Sequence, residues 1–112
     1  MQSKYFTEAD WRLFKEKIAK WQEAYMERLN REYVQLLSDD RAPSEKFWEL
    51  ERRMKEDKQK AGVRLEMTRS AMMNNIVQLL HEGAIDMTDL DDFSDTLKEA
   101  VCSVLGRSWD MA

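Results

Sequence analysis

Large apolar residues recur every three or four positions near the start of this chain: Trp11, Phe14, Ile18, Trp21, Tyr25, Leu29, Tyr33 and Leu36. At 100° per residue they fall within an arc of about 120°, the pattern of a helix with one buried face. Thr7 precedes the run with Asp10 three residues on, a capping box with Asp in place of Glu, and Phe6 and Trp11 take the positions of a hydrophobic staple. The run stops at "SDDRAPS", where Pro43 breaks the pattern and Pro43 or Ser44 can open the next helix. A helix over 7–38 would be about 47 Å long.

A second apolar series follows at Phe47, Leu50, Met54, Ala61, Leu65, Met72, Ile76 and Leu79. Its angles stay in phase across Gly62, which favours one helix over 44–82, kinked or broken at Gly62. Two separate helices remain the alternative, because Gly weakens a helix by about 1 kcal/mol relative to Ala. Gly83 is the natural C-cap. A third stripe, Leu90, Phe93, Leu97, Val101, Val104 and Leu105, predicts a shorter helix over 88–105, capped by Thr88 with Asp91 or by Ser94 and ended by Gly106. In the tail "RSWDMA", Trp109 either docks or leaves the segment loose.

The expected fold is all-α and a single domain over 1–112: a long antiparallel helical hairpin, coiled-coil-like, with a shorter C-terminal helix near one end. β-branched residues are scarce and nothing alternates cleanly, so no sheet is expected. A compact chain of 112 residues would have a radius of gyration of about 13 Å. A 47 Å helix does not fit inside such a globule. Either the monomer is a rod, or a second copy covers its stripes.

Charge sharpens that picture. Residues 52–69 carry Arg52, Arg53, Lys55, Lys58, Lys60, Arg64 and Arg69 against Glu56, Asp57 and Glu66, a net of +4. Residues 82–99 carry seven acids against Lys98, a net of −6. The chain is therefore an electrical dipole along its own length, hidden behind an overall charge of −4. Antiparallel copies could pair the two segments, which would set orientation more than affinity. Lys58 and Arg69 fall inside the apolar stripe of the second helix; a buried charge there would need a carboxylate, with the acidic last helix as the obvious donor.

Little of the composition suits catalysis. The chain has one Cys and one His, Cys102 beside the last apolar stripe and His81 near a helix C-terminus. "DMTDLDDFSD" lacks the glycine and terminal glutamate of a calcium loop. Gln78 stands where a di-iron bundle would place glutamate before His81. No metal, cofactor or small-molecule substrate is expected, and no enzyme activity. The lone cysteine suits a reducing compartment, and no segment is apolar enough for a signal peptide or membrane span, so a cytoplasmic setting is expected.

The aromatic stripe reads mostly as core, partly shared between chains, with Trp11, Trp21, Tyr25, Met72 and Met73 as candidate interface residues. Aromatics and methionine serve both roles. The leading expectation is a non-enzymatic protein acting through protein–protein contacts as a homodimer. The alternative is a nucleic-acid-associated accessory protein using Arg52, Arg53, Lys55, Lys58, Lys60 and Arg64 on phosphates. The acidic last helix would repel a polyanion.

The segments "YFTEADW", "SEKFWELERRMKEDK", "EMTRSAMMNNIVQLLHEGAI" and "DLDDFSDTLKEAV" together resemble small all-helical bacterial proteins of unknown function. The similarity covers most of the chain. It implies a cytoplasmic bacterial setting and transfers no catalytic or binding residue.

Overall fold

Thr7 starts the first helix as its sequence predicts. Its hydroxyl accepts the Asp10 N–H at 3.1 Å, and the Asp10 carboxylate accepts the Thr7 N–H at 2.9 Å. From this cap, α1 runs Glu8–Leu37 in the computed structural model, which describes residues 4–106. Pro43 then opens α2, Pro43–Asp57. Two further helices follow: α3, Met72–His81, and α4, Asp95–Leu105, with a short 3-10 turn at Met87–Leu90 between them. The fold is all-α, and no described residue lies in a strand. Its extents are 54 × 29 × 19 Å and its radius of gyration is 16.7 Å, so the long axis set by α1 governs the shape.

The second helical region is not one helix: it stops at Asp57 and resumes at Met72, the two-helix alternative, with Gly62 inside the non-helical stretch 58–71. Phase continuity of the apolar positions is the misleading signal, because the break is fixed by groups distant in sequence. The Glu82 carboxylate accepts the Ala61 N–H at 2.9 Å and the Gly62 N–H at 3.1 Å. Gln22 donates to the Ala61 carbonyl at 3.0 Å. These bonds take up backbone groups that a continuous helix would have paired internally. A Cβ on Gly62 would stand 2.7 Å from Tyr25 Cγ and 2.8 Å from Cε2, so the bare backbone packs against that ring.

The last predicted helix is divided too. Asp86 caps the 3-10 turn, while Ser94 is the N-cap of α4, accepting the Leu97 N–H at 3.1 Å. Ser94 is also held from outside: its N–H and its hydroxyl donate to Asp10 at 2.9 and 2.6 Å. One buried carboxylate thus caps α1 and anchors the start of α4. Burial pushes Asp10 up, but the bonds from Ser94 and Thr7 outweigh it and hold the carboxyl below its usual range. Gly83 and Gly106 adopt positive φ of 74° and 72° after α3 and α4, the left-handed residue that ends a helix.

The principal core lies around the first half of α1. Trp11, Phe14 and Ile18 pack with Ala61, Met72, Ile76, Leu79, Leu90, Phe93, Leu97 and Val101. The second half of α1 meets α2 in an antiparallel hairpin, joined by residues 38–42, that continues beyond this core. Lys58 and Arg69 are both exposed, and the partner of Arg69 is Glu8, at 2.5 Å, rather than the last helix.

Candidate protein-contact surface

The hairpin is joined largely through polar groups. Arg53 pairs with Glu32 of α1 at 2.6 Å, and Lys46 donates to the Leu37 carbonyl at 3.0 Å. Tyr33 donates its hydroxyl to Asp57, which is only 3% exposed and also meets Lys60 at 3.1 Å. Burial acts to raise the Asp57 pKa, but bonds from Tyr33 and Lys60 outweigh it and hold the carboxyl low. On Tyr33, burial first and then the bond to Asp57 push the phenol far above its usual value of 10.0.

Leu29 and Leu36 of α1 are buried, but other apolar side chains of the hairpin stand at the surface. Phe47 and Trp48 are 62% and 64% exposed, packed edge to face with centroids 5.0 Å apart. Met54 on the same helix, and Val34 and Leu37 on α1, are also exposed. The apolar stripe read over Phe47, Leu50 and Met54 is thus only half directed at α1; Leu50 is half-buried while its two neighbours are not. Met54 also lines a pocket of 160 Å³, together with Met26, Leu29, Tyr33, Lys58 and Val63, among others. Leu37 continues the α1 side of this pocket at helical spacing, and Phe47 continues the α2 side.

The candidate interface residues lie elsewhere. Trp11, Tyr25 and Met72 are 7, 4 and 0% exposed within the chain itself, and Trp21 and Met73 are half-buried against the same core. Phe14 contacts Trp11 and Trp21 at centroid distances of 6.3 and 6.1 Å, and Trp21 contacts Phe93 at 6.2 Å. One chain therefore encloses its own stripe with α3 and α4, which a bare hairpin would lack.

The basic segment is matched locally. Arg52 pairs with Glu49 and Glu56, Arg53 with Glu32, Lys55 with Glu51, and Lys60 with Asp57. Arg64 donates to Gln59 at 2.9 Å. Among the described residues, Lys58 has no carboxylate within 4.0 Å. The six cations do not form an unpaired phosphate-facing stripe.

Periodicity alone does not single out the aromatic pair, although "KFWEL" holds a signal. Trp48 stands about 160° round the helix from Leu50, so the two cannot both face α1. Cys102 is buried and His81 exposed, and no group of three or more His, Cys, Asp or Glu is placed to hold a metal among the described residues. No described helix is long and apolar enough to cross a membrane. Trp109 lies outside the described residues. No protein-family model, curated protein or solved structure matches the chain.

Proposed function

We propose that this is a non-enzymatic helical protein, cytoplasmic in setting, that works through protein–protein contacts and associates with a second copy of itself through the α1–α2 hairpin. The observation that carries this reading is the concentration of exposed apolar side chains there: Val34, Leu37, Phe47, Trp48 and Met54 are 44–64% exposed. Apolar patches of this kind mark contact surfaces, and Trp and Phe are typical anchors. A two-helix layer has no second layer of its own, and pairing two hairpins would supply one, as in a four-helix bundle. Such an association is isologous and closes after two copies.

Absolute mass by light scattering after gel filtration, at two concentrations, tests the reading. The expected mass at the higher concentration is twice 13.4 kDa. Monomer throughout would refute it.

A further inference from the structure

The outward face of α2 carries a charge pattern that its hairpin role leaves unexplained. Phe47, Trp48, Glu51, Lys55 and Lys58 fall within about 100° of the helix circumference, off the Arg53–Asp57 side that meets α1, with Lys58 also at the rim of the α1–α2 pocket. All five are exposed. The aromatic and acidic members come first along the helix and the two lysines last. Such a face is complementary to itself when reversed.

We infer that two copies pair α2 against α2 in antiparallel register, about a two-fold axis at the level of Arg53. This rests on the self-association proposed above and specifies its geometry. Trp48 and Lys58 are equidistant from Arg53 along the chain, and so are Glu51 and Lys55. One axis therefore satisfies both pairs at once, each of them twice. Trp48 covers Lys58 of the partner subunit, an aromatic face over the ammonium group that has no carboxylate within 4.0 Å among the described residues. Glu51 faces the partner's Lys55, and Lys55 faces the partner's Glu51. Within one chain these two groups are 3.6 Å apart and remain 48% and 76% exposed, so each retains room for a second partner. A parallel arrangement would instead oppose lysine to lysine and glutamate to glutamate, which is repulsive.

The surface is short. Fifteen residues of α2 span about 22 Å, so Phe47 and Met54 beside the pocket add the apolar area that the charges do not supply. The 160 Å³ pocket, with Met54 and Lys58 on its rim, lies next to where the partner's Phe47 arrives. The charges then fix the direction of pairing while the apolar groups supply the affinity.

Charge exchange between separate variants tests this pairing. Glu51→Lys opposes two lysines at each contact, and Lys55→Glu opposes two glutamates. Each variant alone should raise the dimer dissociation constant at least about tenfold. Mixed in equal amounts, with one isotopically labelled, they should form a heterodimer in native mass spectrometry, because every contact is again of opposite sign. Both positions are exposed and pair with one another, so circular dichroism should show unchanged helix. Wild-type dimers with both variants dimerising equally well would overturn the α2 pairing and leave self-association standing. Absence of a heterodimer from the mixture would overturn the pairing in the same way. A wild-type monomer at every concentration would overturn both.

Discussion

Replacing Gly62 by Ala tests the origin of the bend that divides the second helical region. Its φ is not positive, so the backbone conformation gives no reason for glycine. An ordinary loop Gly→Ala would stabilise by about 0.4–1 kcal/mol through the unfolded chain. Here the new methyl would stand 2.7 Å from Tyr25 Cγ and 2.8 Å from Cε2, well inside contact distance. Tyr25 is 4% exposed, with the Arg28 guanidinium over its ring, so the ring has little room to yield. Overpacking of this kind costs about 1–3 kcal/mol, which leaves a net loss of up to about 2.5 kcal/mol after the entropic gain. Urea unfolding followed by circular dichroism should show the midpoint falling by about 1 M with unchanged slope. In a Tyr25→Ala background the clash is gone, and the same substitution should become neutral or stabilising. A double-mutant cycle isolates that difference. If Gly62→Ala stabilises the otherwise native chain, the contact with Tyr25 is not what requires glycine at the bend.

Other consequences follow from the same contacts. Glu82→Ala removes the acceptor of two backbone N–H groups and should destabilise by about 1–3 kcal/mol in the same assay, whereas Glu82→Gln should lose less. Asp10 and Asp57 have folded pKa values below their usual 3.8, so the stability they provide is complete above 3.8 and is lost as pH falls through the lowered values. Unfolding midpoints should therefore decline below pH 3.8, with a shallower decline in Asp10→Asn and Asp57→Asn; equal slopes in all three proteins would contradict this assignment. Because the basic segment is matched to local acids, duplex DNA should show no gel shift at physiological salt, and a salt-dependent shift lost on reversing Arg52, Arg53 and Lys55 would restore the nucleic-acid reading.

Local signals are the legible ones. The Thr7–Asp10 cap, the α1 stripe, the helix start at Pro43 and the helix-ending glycines Gly83 and Gly106 each depend on neighbours within a few residues, and each is readable in the sequence. The divisions at Gly62 and before Ser94 are harder, because Glu82, Tyr25 and Asp10 decide them from positions distant in sequence. Burial of the charged residues Asp10, Asp57 and Lys98 is equally hidden, since periodicity does not distinguish a satisfied buried charge from a surface one. The proposed contact surface is obscured for a related reason. Helical spacing identifies Trp11, Phe14 and Ile18 as part of a stripe but cannot show that α3 and α4 cover it. Nor can it show that Arg53 and Asp57 take the α1-facing side of α2 and leave Phe47 outside.

The central claim separates an enclosed aromatic core from an exposed aromatic contact surface, and oxidative footprinting of the tryptophans at low and high protein concentration tests it directly. Trp48 should label readily when dilute and become protected on concentration, while Trp11, 7% exposed, should label slowly at both. Protection of Trp11 and Trp21 on concentration, with Trp48 labelling unchanged, would contradict that claim and return the stripe on α1 to the role of interface.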